Sequence, residues 1–255
     1  MINIPLITVL LTYFLVWFVI NNLLNNAGLI DIAWGLGFVL LALTQYLIYP
    51  GSYSLVIVSM VMLWGLRLAY FIGLRNIGKE EDHRYQQFRK DWGKSYLIRS
   101  VFQIYLLQAV LMLVVSMAFL DGIRRSELKS VPLFVIGIVL YSIGFYFEVV
   151  SDYQMKKYKN DLRNKGKLMT SGLWSMSRHP NYFGEATLWL GIASVSVALG
   201  SSLVAYIGAF TIFYLVRYLS GTPLMEKRIK TYSEFDVYSK NVPIFFPKIK
   251  GEKNL

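Results

Sequence analysis

The chain is divided by apolar runs of about 20 residues, the length a helix needs to cross roughly 30 Å of hydrocarbon. Such runs occupy 4–24, 29–49, 53–75, 100–120, 131–151, 180–199 and 203–219. With 55% hydrophobic and 16% charged residues among 255, the composition is far more apolar than that of a soluble domain. The expectation is an all-α polytopic membrane protein of about seven transmembrane helices. The first run has no basic residues ahead of it and no small-residue cleavage site before Asn21 and Asn22, so it reads as a retained helix. Pro50 with Gly51, and Gly200 with Ser201 and Ser202, read as tight turns between spans. No linker separates two parts, so 1–255 reads as a single membrane domain.

The net charge of +11 raises the question of nucleic acid, and the placement of the charges answers it. No Lys or Arg precedes Arg67. Seven basic residues fall in 75–99, seven in 153–180 and seven from 221 onward, with Arg124, Arg125 and Lys129 as the exception. Seven spans put the three rich segments on one side. The positive-inside rule makes that side cytoplasmic, with the N-terminus outside and the C-terminus cytoplasmic. Membrane lipids, not nucleic acid, are the expected partners of this charge. The segment 76–99 mixes both signs with Tyr85, Phe88, Trp92 and Tyr96 and reads as an interfacial helix on the cytoplasmic leaflet. The absence of cysteine excludes disulfides and thiolate chemistry. His83 and His179 are too few for a histidine metal centre. No G-x-G-x-x-G after a strand pattern and no Walker lysine motif is present.

Ionisable groups inside apolar runs face a cavity or a partner. Here they are Asp31, Arg67, Glu148, Asp152, Glu185 and Arg217. Asp31 either caps the second span or lines a pocket. Arg67 either snorkels or lines a pocket, and Arg217, closer to its span end, snorkels. Glu148 and Asp152, four apart, share one helix face as the chain enters the basic 153–180 segment. They either pair with the nearby lysines or face a ligand. In SRHPNYFGE, Pro180 suits the first position of a helix. Asn181, Gly184, Glu185 and Leu188 then fall on one face, with Glu185 about 6–8 Å inside the helix. Arg178 and His179 stand before the helix N-terminus, which favours a phosphate. The arrangement suits a dinucleotide, with phosphates at the membrane surface and a carboxylate–amide layer beneath. The bland alternative has Arg178 and His179 as interfacial anchors and Glu185 paired with a buried arginine.

The stretches DIAWGLGFVLLAL, LWGLRLAY, GFYFEVVSDYQMKKYK, NKGKLMTSGLWSMSRHPNYFGE and SGTPLMEK together resemble the membrane family related to the C-terminal domain of steroid 5-alpha-reductases, and most closely its bacterial branch. The resemblance covers about Asp31 to Pro247. It implies a seven-helix membrane fold, in a bacterial cytoplasmic membrane, with NADPH in a cytoplasm-facing cavity that includes the 153–180 segment. The implied reaction is reduction of a carbon–carbon double bond conjugated to a ketone in a steroid-like or other lipophilic substrate drawn from the bilayer. By the same resemblance, Asp152 belongs to the cofactor segment with Ser151 and Tyr153, followed by Lys156, Lys159 and Lys167. Asn181 and Glu185 correspond to the family's N-x-x-G-E, and Tyr238 to its tail tyrosine. Arg67, Glu148, Arg178 and His179 complete the expected cofactor set. Tyr70 and Asp31 are the nearest candidates for the pair that polarises the substrate ketone.

One feature departs from the steroid reductases. R-H-P-x-Y-x-G is carried by isoprenylcysteine carboxyl methyltransferases and phospholipid methyltransferases, which bind S-adenosylmethionine at the same helix start. Their tails usually have two adjacent glutamates, where this chain has Met225 and Glu226. Lipid methyl transfer is therefore the alternative activity, and a non-catalytic transporter or scaffold the third.

Overall fold

A computed structural model describes residues 3–248, and every regular element among them is helical. The basic residues Lys250 and Lys253 lie outside the described residues. The chain divides into two compact units. One comprises residues up to Val131 together with Val195–Gly208, the other Pro132–Ser194 with the segment from Ala209.

In the first unit, α1 (Ile4–Leu23), α2 (Ile30–Ile48) and α3 (Ser54–Asn76) are followed by α4 (His83–Trp92), α5 (Tyr96–Ser100), a π-helical segment Val101–Leu106 and α6 (Leu107–Arg125). Asn3 caps α1, accepting from Leu6 N at 3.0 Å. Asp82 caps α4 through Arg84 N at 3.0 Å, and so starts the helix expected in 76–99. The helices meet through small residues. A Cβ on Gly35 would lie 2.4 Å from Gly65 O, and one on Gly65 2.6 Å from Gly35 O, so the α2 and α3 backbones touch there. Within apolar surroundings such contact gives the van der Waals packing that side-chain burial cannot drive. Polar side chains tie the remaining helices. Tyr13 donates to Ala33 O at 2.7 Å, Asn21 Nδ2 to Tyr105 at 3.0 Å and Gln45 Nε2 to Leu120 O at 2.9 Å. Arg124 and Arg125, exceptions to the charge pattern, both pair with Asp121 at 2.9 and 3.0 Å, and Lys129 pairs with Glu127.

In the second unit, the 30-residue α7 (Val131–Asn160) is followed by a loop with two short 3₁₀ turns and then by α8 (Pro180–Ala198) and α9 (Ala205–Tyr214), of which Val195–Ala198 and Ala205–Gly208 belong to the first unit, a π-helical segment Leu215–Leu219, α10 (Thr222–Ile229) and α11 (Phe235–Asn241). α7 and the first four turns of α8 run antiparallel on facing glycines. A Cβ on Gly144 would fall 2.5 Å from Gly184 O, and one on Gly191 2.7 Å from Gly137 O. The two contacts are seven residues apart on each helix, so one stripe serves both crossings.

Among the described residues five helical stretches are long and apolar enough to cross a membrane: Ile4–Leu23, Ala27–Ile48, Ser54–Asn76, His83–Arg125 and Val131–Asn160. The fourth is one helical stretch from the expected interfacial segment through the expected fourth span. α8 falls short because Asn181 and Glu185 dilute its first turns, and α9 because its regular part is only 10 residues long.

The glycine contacts predict that Gly184→Val, which drives a branched side chain into the backbone of Glu148, destabilises the protein by about 1–3 kcal/mol or more. Gly73→Ala is the control, since its Cβ would meet nothing closer than Ile77 Cδ1 at 3.5 Å. Thermal unfolding in detergent should show a lowered midpoint for the first and an unchanged or raised midpoint for the second.

Candidate functional site

The α7–α8 crossing gathers several of the expected residues. Gly184 lies so close to α7 that its Cβ would stand 2.6 Å from Glu148 N. Glu148, buried at 3% exposure, and Asp152 one turn on are thereby set opposite the first turns of α8, which carry Asn181 and Glu185. The register continues into the preceding loop. Trp174 Nε1 donates to Ser151 O at 3.1 Å, and Leu173 N donates to Gln154 Oε1 at 3.0 Å. The turn that permits this needs Gly172, at φ +62° with no room for a Cβ beside Gln154. Asn181 Oδ1 is buried and accepts no hydrogen bond among the described residues. An unmet acceptor in such a place is a site for an incoming donor.

Arg178 and His179 do not form a surface layer. They are 9% and 2% exposed, because Glu226 of α10 lies between them. Arg178 Nε and Nη2 donate to the two Glu226 oxygens at 3.0 and 2.9 Å, and His179 Nε2 lies 2.8 Å from Glu226 Oε1. Arg178 Nη1 donates to Ser239 O and Val242 O at 3.1 and 2.9 Å. All three guanidinium nitrogens are thus engaged by the protein, in the bidentate geometry that makes arginine–carboxylate pairs strong. The His179 ring also stacks on Tyr182, 5.6 Å between centroids. Burial pushes the Glu226 carboxyl up, but the hydrogen bonds from His179 and Arg178 and the charge of Arg178 outweigh it and bring it to about 2.

The tail closes over the same loop. Arg178 N donates to Pro243 O at 2.9 Å, Ser177 Oγ to Phe245 O at 2.7 Å and Lys248 N to Met176 O at 2.8 Å. Tyr238, the expected tail tyrosine, is buried and donates to Trp174 O at 2.5 Å; burial pushes its phenol up. Lys156, Lys159 and Lys167 are exposed. Glu226 is the residue whose role sequence reasoning missed. Its signal was the PLMEK stretch, but nothing in the spacing of 47 residues from His179 announces the contact.

In the first unit, Asp31 is not a helix cap. It accepts from Tyr85 at 3.0 Å and from Arg84 Nη2 at 3.0 Å, while Asn26 caps the preceding turn. The tyrosine beside Asp31 is therefore Tyr85, buried at 5%, whereas Tyr70 is 69% exposed on α3. Arg67 is half-buried on α3.

The sequence match of this helical membrane chain places it in the steroid 5-alpha-reductase-like class. Residues 17–242 match the family described as "Protein of unknown function (DUF1295)", and the chain belongs to it. Among curated relatives, it is 30% identical over 219 residues to an uncharacterised protein of Schizosaccharomyces pombe, covering 74% of this chain and 62% of that protein. It is 34% identical over 83 residues to "Probable O-methyltransferase ustE" of Ustilaginoidea virens, 31% of this chain and 29% of the relative. It is 38% identical over 60 residues to "Steroid 5-alpha-reductase DET2" of Arabidopsis thaliana, 24% and 23% of the two chains. The chain spans less than two thirds of the length of each of these relatives. No solved structure matches it.

Replacing Glu226 by Gln leaves Arg178 without its buried counter-charge, a change that costs about 3 kcal/mol. Because the folded carboxyl sits near 2 and its ordinary value is 4.5, its stabilisation is complete above about pH 4.5 and is lost as pH falls toward 2. The gap in unfolding midpoint between wild type and Glu226→Gln should accordingly be widest near neutral pH and close over that acidic window.

Proposed function

We propose that this protein is an NADPH-dependent membrane oxidoreductase that reduces a carbon–carbon double bond conjugated to a ketone in a steroid-like or other lipophilic substrate. The observation that carries the reading is Asn181 Oδ1, a buried acceptor with no donor among the described residues, one turn from Glu185 where Gly184 rests on α7. A nicotinamide carboxamide supplies the N–H donors such a site lacks, so the residues fit the cofactor. When bound, NADPH supplies the hydride. Asn181 and Glu185 hold the carboxamide and so select the ring face. Lys156, Lys159 and Lys167 meet the phosphates as mobile point charges, the 2′-phosphate included. Arg178, His179 and Tyr238 fix the loop and tail that shape this site, with Glu148 and Asp152 on the facing helix. Tyr70 or Asp31, the latter held by Tyr85 and Arg84, is the group assigned to polarise the substrate oxygen. The seven-span topology, with the cofactor side cytoplasmic and the bilayer supplying the substrate, belongs to the same reading.

Methyl transfer from S-adenosylmethionine is the second reading, favoured by the R-H-P motif and the likeness to an O-methyltransferase over 83 residues. Two features weigh against it. Met225 stands where a second acid would face a cationic cofactor, and both oxygens of Glu226 are already engaged. The cation-rich 153–180 segment suits a polyanion better than a sulfonium.

Thermal shifts in detergent separate the two. NADPH should raise the unfolding midpoint and S-adenosylmethionine should not; stabilisation by S-adenosylmethionine alone would overturn the assignment. Glu185→Gln should weaken NADPH binding by roughly tenfold, the worth of one charge-assisted hydrogen bond, while the protein still folds.

A further inference from the structure

Two adjoining depressions in the second unit meet at one residue, Phe246. The first is an apolar cavity of about 210 Å³ between α8, α9 and the tail. It runs along α8 from Phe183 to Leu190, seven residues or about 10 Å at the rise of a helix, a length that takes about eight methylene groups of an extended chain. Its wall is almost wholly hydrocarbon and aromatic. Its one hydroxyl, on Thr187, is spent on Phe183 O at 2.7 Å. At the mouth the rings are locked edge to face, Phe213 on Phe245 at 5.5 Å and Phe245 on Phe246 at 5.4 Å. Phe210 and Phe246 themselves are 61% and 66% exposed, so the cavity opens outward past them.

The second depression is an open cleft of about 440 Å³ in the tail, lined by Ser239, Lys240, Asn241, Phe246 and Lys248 among others. Lys240 and Lys248 are exposed, and among the described residues no carboxylate pairs with either. The Lys248 main chain is anchored to Met176 O, which fixes where that ammonium group starts. A cleft that carries two lysines beside Val242, Pro243 and Pro247, with the Ser239 hydroxyl and Asn241 amide donating to Asp236 O at 3.1 Å and Val237 O at 2.9 Å, thus continues across a single phenylalanine into an apolar cavity.

We infer that this is a site for an anionic phospholipid of the surrounding bilayer, its phosphate at Lys240 and Lys248 and one acyl chain in the cavity beside α8. The continuity of the two depressions selects this occupant: a free phosphate leaves the cavity empty, and an uncharged lipid leaves two ammonium groups unanswered. The site does not involve Asn181, Glu185 or the lysines assigned to NADPH, so it stands apart from the reductase reading. Bound there, the lipid bridges the tail to α8 and α9, and so braces the clamp that holds Arg178.

The test uses delipidated full-length protein in an uncharged detergent, with lipid binding followed by native mass spectrometry and unfolding midpoint. Dioleoyl phosphatidylglycerol should bind at one molecule per chain and raise the midpoint. Dioleoyl phosphatidylcholine should bind more weakly, and inorganic phosphate or glycerol 3-phosphate should give no shift. Lys240→Gln with Lys248→Gln should lower phosphatidylglycerol affinity at least about tenfold, since each lysine near an anionic lipid contributes on the order of 1 kcal/mol. Ala186→Phe, which fills the cavity, should lower binding of both lipids. If that variant does not fold, Phe246→Ala, which removes an exposed ring, tests the same junction and should weaken phosphatidylglycerol binding. Equal binding of the two lipids, an unchanged affinity in the double lysine variant, an equal shift with glycerol 3-phosphate, or unaltered lipid binding in a folded cavity variant would each overturn the inference. NADPH binding, measured in parallel, should be retained in the lysine variant whether or not lipid binds.

Discussion

The contact on which the second unit depends is the approach of α7 and α8 to backbone distance. In a hydrocarbon environment apolar side chains gain little by leaving lipid for one another, so helices stay together through close packing and hydrogen bonds. Glycine at 137, 144, 184 and 191 removes the side chains that would hold the axes apart. The consequence is chemical as well as mechanical. With Gly184 seated on the main chain of Glu148, the first two turns of α8 have one depth and one rotation relative to α7. The glycine stripe therefore fixes the depth and rotation of the helix turns that carry Asn181 and Glu185.

A second constraint fixes the chain ahead of that helix. Arg178, His179 and Glu226 come from segments 47 and 48 residues apart and meet through one carboxylate. Bringing Glu226 there requires the π-helical turn at Leu215–Leu219 and then Gly221, whose Cβ would lie 2.5 Å from Val216 O and 3.1 Å from the Tyr182 ring. A buried ion pair recovers its desolvation cost only when its remaining donors are satisfied. Here the carbonyls of Ser239 and Val242 complete the guanidinium. Those carbonyls flank the C-terminal end of α11, so the pair also fixes the tail. The R-H-P sequence is thereby a folding element as much as a possible ligand contact, which explains why it can sit in a chain whose other motifs resemble those of reductases.

The helices were largely legible in the sequence because length and hydropathy are local properties. α1, α2, α3 and α7 lie close to the apolar runs read from composition. α8 also matches its run to within one residue, although Asn181 and Glu185 lower its hydropathy, whereas α9 was less legible because a π-helical turn interrupts the last run. Within the site, spacing along one helix placed Asn181, Gly184 and Glu185 on a shared face, and the glycine contacts agree with that face. Contacts between distant segments left no such trace. Glu226 was visible only as the surviving member of a motif, and Tyr85, which donates to Asp31, sat in a segment read for its amphipathic character alone. Polarity predicts that Arg178 needs a partner; it does not name the partner.

The division of labour among the cations follows from the difference between the two side chains. Arginine presents a planar fork that a carboxylate and two carbonyls can saturate, and Arg178 is used that way, buried with all its nitrogens engaged. Lysine presents one compact, strongly hydrated charge on a flexible stem, and Lys156, Lys159 and Lys167 remain at the exposed edge of the same unit. Had Arg178 been the phosphate contact, its engagement would have withdrawn the counter-charge that orders the start of α8. On the proposed reading the ordering charge is buried and the charges assigned to the phosphates are exposed, so ligand exchange would leave in place the helix that carries Asn181 and Glu185.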